Sequence, residues 1–288
     1  DLGYGDVGVY NSNSKIPTPN LDRMAKEGMM FTDAHSPSTV CTPTRYSLLT
    51  GRMAFRTGKV GVFNTPGGPS MIEKERLTIG KMLQSKGYKT AVVGKWHLGL
   101  GDTIINYNKK IKPGPNEVGF DYSYIMADTQ DRVPTVYIEN GNVVNLDPND
   151  PLQVSFIENF DGEPTGKDNP ELLTTKWHHG HFNSIINGIS RIGYMKGGKS
   201  ALWSDINMAD EFLNKAKQYI DEVKDEPFFL FYTLQQPHVP RTPHPRFEGI
   251  SGMGPRGDAI LEADWAIGQV LDKIDELGLS ENLSLIHI

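Results

Sequence analysis

The chain has 288 residues, with 29 Lys+Arg against 35 Asp+Glu for a formal charge of −6, and 38% of its residues are apolar. No basic block stands out, which argues against a nucleic-acid surface, and no apolar run approaches the ~18 residues of a membrane span. One cysteine, Cys41, excludes an internal disulfide and draws attention to its own surroundings.

Thr18-Pro19 opens a predicted helix with Leu21, Met24 and Ala25 inward and Gly28 as its stop, and Met29 to Phe31 follow as a short predicted strand. The next helix begins around Cys41-Thr42-Pro43-Thr44-Arg45. Pro43 suits the first helical position, Tyr46, Leu48 and Leu49 continue the turn, and Gly51 can end it. Cys41 then meets free backbone N–H groups at the positive end of the helix dipole, with Arg45 one turn on and on the same face. That suits the handling of an oxyanion. The same residues also suit a buried thiol with Arg45 in a structural ion pair.

Thr78 caps a predicted helix carrying Ile79, Met82 and Leu83 and stopped by Gly87, and Lys89 to Val93 form an apolar strand after it. The strand runs into Gly94-Lys95-Trp96-His97-Leu98-Gly99. Ligands gather at the carboxyl ends of strands in open parallel sheets, which makes Lys95 and His97 candidates. Residues 102–200 lose this periodicity in a stretch rich in Asn, Gly, Pro and Asp, with short strand-like pieces such as Thr135 to Glu139, and read as a long insert shaping the substrate site. Within it, Trp177-His178-His179-Gly180-His181 admits three readings: a metal site, the lining of a sugar subsite to which Arg241 and His244 contribute, or a solvated loop.

Order returns with Asp205 to Val223, whose Ile206, Ala209, Phe212, Leu213, Ala216 and Ile220 form a helical stripe. Phe228 to Tyr232 read as a buried strand ending at Gln235-Gln236-Pro237-His238. Gly257 to Leu277 is the last predicted helix, with Ile260, Ala263, Ile267, Val270, Leu271 and Ile274 inward. The alternation predicts an α/β fold with a mostly parallel central sheet flanked by helices. Taken singly, Lys95 reads as a surface lysine and His238 as a loop histidine; three polar groups after strands or at a helix start, Cys41/Arg45, Lys95/His97 and His238, read as one site.

In this order the residues resemble the type I, formylglycine-dependent sulfatase family, with an arylsulfatase-like pattern. The resemblance is carried by Asp1-Leu2-Gly3-Tyr4-Gly5-Asp6, Pro19-Asn20-Leu21-Asp22, Cys41 to Arg45 running into Leu49-Thr50-Gly51-Arg52, Gly94 to Gly99, Phe228-Phe229-Leu230 leading to Pro237-His238, and Glu262-Ala263-Asp264. It implies an alkaline-phosphatase-like α/β fold over one catalytic domain spanning 1–288, and hydrolysis of a sulfate ester to sulfate and an alcohol. It further implies oxidation of Cys41 to formylglycine by a separate formylglycine-generating enzyme, and a divalent cation, usually calcium, with Asp1 as one ligand.

By the same resemblance, Arg45 holds the aldehyde hydrate and its charge, Lys95 bridges nucleophile and sulfate, His97 draws the proton that lets sulfate leave, and His238 binds sulfate and protonates the leaving oxygen. A small or oligosaccharide sulfate is the expected partner, and the polar insert favours a carbohydrate. Two alternatives stand beside this: a phosphonate or phosphodiester hydrolase of the same superfamily, and a non-catalytic binder of sulfated glycans. Family members are exported or lysosomal. The family places a strand and paired aspartates ahead of Leu-Gly-Tyr-Gly, and an Asp-Asn pair and a lysine beyond the last helix; only Asp1 of these is present, and Leu283 to Ile288 departs from the pattern. The expectation is therefore a catalytic domain incomplete at both ends, binding calcium weakly and turning over poorly.

Overall fold

A computed structural model describes residues 1–58, 60–62, 68–176 and 180–287. Its helices are α1 (Pro19–Glu27), α2 (Cys41–Thr50), α3 (Ile79–Gln84), α4 (Met208–Val223) and α5 (Gly254–Glu276). Its strands are β1 (Lys89–Lys95), β2 (Tyr122–Met126), β3 (Tyr137–Glu139), β4 (Asn142–Val143), β5 (Gln153–Ser155), β6 (Ile185–Ile186), β7 (Ile189–Ser190), β8 (Tyr194–Lys196) and β9 (Phe228–Thr233). The chain packs as two compact units, one made of Asp1–Asp33, Ile206–Phe228 and the residues from Gln236 onward, the other of Ala34–Asp205 and Phe229–Gln235.

The second unit is built on a five-stranded sheet of order β4-β3-β2-β1-β9. β1 runs parallel to β2, with Lys95 opposite Met126, whereas β2–β3 and β3–β4 are antiparallel. The architecture is α/β as expected, but the sheet is mixed rather than mostly parallel. The reason is local: Asn140 and Gly141 both take positive φ (48° and 85°), the geometry of a tight hairpin turn, so β3 and β4 return without a crossover helix. The stretch 102–200 thus supplies three strands of the central sheet as well as the β5–β8 and β6–β7 ribbons. β9 lies at the end of the strand order, and only Thr233 of it is fully buried, where a buried strand was expected. Its Phe229 and Phe231 stack on Phe120, ring centroids 6.2 and 6.4 Å away, and Phe120 meets Trp96 edge-on. Burying side chains of this size is worth about 1.5–3 kcal/mol each.

Thr78 caps α3 as expected, accepting from Lys81 N at 3.1 Å. Met82, expected inward, is 45% exposed, because α3 packs through Gly80, where a Cβ would lie 2.2 Å from the Gly119 carbonyl oxygen. In the first unit α5 packs against α4 and α1. Gly268 lets α1 approach, and Asp264 on α5 accepts from Asn20 N (3.1 Å), Asn20 Nδ2 (2.8 Å) and Leu21 N (2.9 Å). Those bonds satisfy donors of the first turn of α1 that the Thr18 side chain leaves unmet. Ile206 lies in a 3-10 turn ahead of α4 and is 43% exposed, outside the expected stripe. Met29 to Phe31 are exposed and form no strand, since three apolar residues do not by themselves create a pairing edge.

Candidate active site

α2 begins at Cys41, two residues before the expected start, with Val40 as its extended cap and Pro43 at the third helical position. Proline is tolerated there because the first four N–H groups of a helix have no intrahelical acceptor. Gly51 ends the helix in the left-handed conformation, its N–H on Ser47 O at 2.9 Å. Cys41 is partly buried, with Thr42 and Pro43 buried behind it.

β1 continues through Lys95, so this lysine closes the strand instead of lying in the turn beyond it. Gly94 has φ +116°, and a Cβ there would sit 2.0 Å from the Thr233 carbonyl oxygen, so only glycine lets β1 and β9 approach at this point. His97 is fully buried and takes φ +55°, a conformation rare outside glycine that costs on the order of 1 kcal/mol. Three bonds impose it. His97 N donates to Ala127 O at 2.9 Å, its carbonyl accepts from Thr42 Oγ1 at 3.0 Å, and its Nδ1 lies 3.0 Å from Cys41 Sγ.

Arg45 Nη1 donates to the Lys95 carbonyl at 2.7 Å, and Thr233 Oγ1 donates to the same oxygen at 2.7 Å. Four of the sequence-predicted residues, Cys41, Arg45, Lys95 and His97, therefore meet where α2 abuts the end of β1. Burial lowers the Arg45 guanidinium to about 10, the Cys41 sulfur opposing it. Burial, then the neighbouring Arg45, lowers Lys95 to about 8. The result is a buried lysine and a half-buried arginine beside a thiol, which is a place for an anion.

Sequence reading missed the turn after β2. Asp128, Asp131 and Arg132 are all buried there, and Asp131 and Arg132 act electrostatically on Lys95. Asp131 Oδ1 is 3.3 Å from Arg132 Nη1, and its Oδ2 is 3.1 Å from His181 Nε2. Burial raises Asp128 to about 7, against the pull of Arg132, and among the described residues neither of its carboxylate oxygens has a hydrogen-bond partner. The missed signal was positional: this turn follows the strand parallel to β1, the same rule that singled out Lys95. Of the aromatic–histidine cluster, residues 177–179 lie outside the described residues, while His181 is mostly buried against Asp131 rather than solvated.

His238 and Asp1 belong to the other unit. His238 Nδ1 is 2.9 Å from Val239 O; a carbonyl only accepts, so Nδ1 carries the proton and Nε2 is the basic nitrogen of the neutral ring. His244 Nδ1 accepts from Arg246 N at 3.2 Å and so serves the local turn. The Asp1 carbonyl accepts from Arg256 Nη2 at 2.8 Å, and the same guanidinium binds both oxygens of Asp6, holding that carboxyl below its usual range. Among the described residues no three His, Cys, Asp or Glu side chains converge to hold a cation, so the residues around Asp1 do not by themselves form a calcium shell.

A family model described as Sulfatase matches residues 1–288. An N-acetylgalactosamine-6-O-sulfatase of Bacteroides thetaiotaomicron is 49% identical over 288 residues, covering 99% of this chain and 56% of that protein. Human arylsulfatase A is 30% identical, covering 99% of this chain and 49% of that protein. A B. thetaiotaomicron structure solved in work on the metabolism of multiple glycosaminoglycans superposes with a TM-score of 0.95 at 48% identity, over 98% of this chain and 58% of that one. The PsFucS1 sulfatase from Pseudoalteromonas sp., at 24% identity and a TM-score of 0.65, shares the fold over 98% of this chain and 51% of its own. The chain spans about half the length of the curated relatives it matches.

Proposed function

The chain belongs to the sulfatase family, with its alkaline-phosphatase-like fold, and from that premise we propose that it hydrolyses a carbohydrate sulfate ester, releasing sulfate and an alcohol. One observation carries the reading: residues 56 positions apart bring Cys41 Sγ within 3.0 Å of His97 Nδ1, beside the half-buried Arg45 and the buried Lys95.

The surroundings of Cys41 fit a formylglycine. The residue is partly buried at the first turn of α2, where backbone donors can face an oxygen, and it has an imidazole at hydrogen-bond distance. Formylglycine supplies a hydrated aldehyde as the nucleophile. Arg45 and Lys95 neutralise the sulfuryl oxygens as charge develops there, and the burial of Lys95 strengthens that attraction by excluding water. His97 Nδ1 accepts or returns a proton at the position-41 heteroatom, with its main chain held by the Thr42 and Ala127 bonds. His238 is proposed as the acid at the leaving oxygen, donating from Nε2 once the ring is doubly protonated, with Nδ1–H kept on Val239 O. The same proposal includes Asp1 as one calcium ligand, maturation by a separate formylglycine-generating enzyme, and export. No helix of the described residues is long and apolar enough to cross a membrane.

The polar turn of Asp131, Arg132 and His181 favours a hydroxylated sugar over an apolar aryl group, and the 49%-identical relative, an N-acetylgalactosamine-6-O-sulfatase, supports a hexosamine 6-sulfate as first probe. The test is peptide mass spectrometry across Thr39 to Arg52 after co-expression with a formylglycine-generating enzyme, followed by sulfate release from N-acetylgalactosamine 6-sulfate and turnover of a phosphodiester. Aldehyde at position 41 with preferential sulfate release is expected. A persistent thiol with retained glycan binding would overturn the catalytic reading in favour of a glycan binder, and faster phosphodiester cleavage would overturn the sulfate reading.

A further inference from the structure

His238 lies in a loop whose two ends are held by one side chain. Glu262, on α5 and 2% exposed, accepts Gln236 Nε2 at 2.8 Å through Oε2 and the His244 backbone N–H at 2.9 Å through Oε1. Between those anchors, His238 Nδ1 donates to Val239 O, and Arg241, in the left-handed conformation at φ +60°, donates from Nε to Pro237 O at 3.1 Å. Beyond the second anchor the Arg246 guanidinium lies 4.1 Å from the ring centre of Trp265, also on α5.

A buried carboxylate is costly unless its oxygens are satisfied, and an apolar side chain would fill the same space more cheaply. An amide has one acceptor oxygen, so a glutamine could serve one anchor on that oxygen while turning its NH2 toward the donor of the other. A carboxylate meets both. Burial pushes the Glu262 carboxyl upward, and the two loop donors oppose that shift.

We propose that Glu262 is a positioning residue for His238: by clamping Gln236 and His244 together it holds the loop that presents Nε2 of His238 to the leaving oxygen in one orientation. The inference rests on the proposed role of His238. Asp258 provides the control, because this α5 carboxylate is equally buried and binds Gly249 N, Ser251 N and Ser251 Oγ in a different loop.

The experiment compares Glu262→Gln, Asp258→Asn, His238→Ala and the double variant Glu262→Gln/His238→Ala in the matured protein. It measures kcat and KM on N-acetylgalactosamine 6-sulfate, and amide hydrogen exchange across 236–244. Glu262→Gln is expected to lower kcat about 10- to 100-fold, the scale of a catalytic group misplaced by ~1 Å, with KM little changed. The Val239 and Arg241 amides should exchange faster, and the double variant should be no slower than His238→Ala alone. Asp258→Asn should leave kcat near wild type. Unchanged kcat and exchange in Glu262→Gln, or an equal further loss in the His238→Ala background, would overturn the positioning role. Full activity of His238→Ala would instead overturn the reading of His238 itself. If Glu262→Gln fails to fold, Gln236→Met opens one end of the clamp and should reproduce the faster exchange and the kcat loss; unchanged values there would overturn the proposal equally.

Discussion

Arg45 donates to the main-chain carbonyl of Lys95 at 2.7 Å, so one cation of the site is aimed by the backbone of the other. The bond ties α2 to the end of β1. It explains how two like charges can stand together: the Lys95 carbonyl dipole partly offsets the guanidinium that its own ammonium repels, and an arriving anion completes the balance.

Arg45→Lys keeps a charge but loses the planar fork that reaches both the Lys95 carbonyl and an anion. Hydrogen bonds to charged groups are worth about 1.5–3 kcal/mol, so kcat/KM on a sulfate ester should fall roughly 10- to 100-fold. Steady-state sulfate release checks this, and a loss below threefold would remove Arg45 from charge stabilisation.

Lys95, lowered to about 8, must be protonated to hold an anion. Inhibition by inorganic sulfate should therefore weaken as pH rises through about 8, and Lys95→Arg should move that limb out of the range. For stability the sign is opposite. Between about 8 and 10.5 the unfolded lysine binds more protons than the folded one, so its contribution rises with pH across that window. Sulfate inhibition and urea melts at stepped pH read the two effects separately.

Asp128 is raised to about 7, with no hydrogen-bond partner on either oxygen among the described residues. The folded carboxyl holds its proton above the pH at which the unfolded one releases it, so its contribution to stability falls as pH rises from about 4 to 7. Asp128→Asn should flatten that decline in denaturant melts and raise the midpoint at pH 8. A midpoint lowered at pH 8 would show that the carboxylate is a net stabilising partner of Arg132 and Lys95.

Gly94→Ala would place a Cβ 2.0 Å from the Thr233 carbonyl oxygen in a backbone conformation that disfavours side chains. We expect a loss of ~2–4 kcal/mol by urea titration. Sulfate inhibition should weaken as well, because Lys95 is the next residue. Stability within ~0.5 kcal/mol of wild type would show that β9 can shift away freely.

Cys41, both cations and His97 were legible in the sequence because each follows a local rule: a helix start with its proline, or the end of an apolar strand. Thr78 as a cap and Gly51 as a stop follow from the same kind of rule, which depends on a few neighbouring residues. Mixed pairing in the sheet was partly legible too, since Asn140-Gly141 is a hairpin signal within what read as an insert.

What sequence by itself determined was the set of chemical groups and the helices and strands that carry most of them, because propensity, capping and periodicity act over a few residues. Partnership was decided only by tertiary structure. His181 finds Asp131, Glu262 finds Gln236 and His244, and Arg45 finds the carbonyl of Lys95. Each joins groups that no local period links, and each is made favourable by burial, which excludes water as a competing partner and depends on the packing of the surrounding unit.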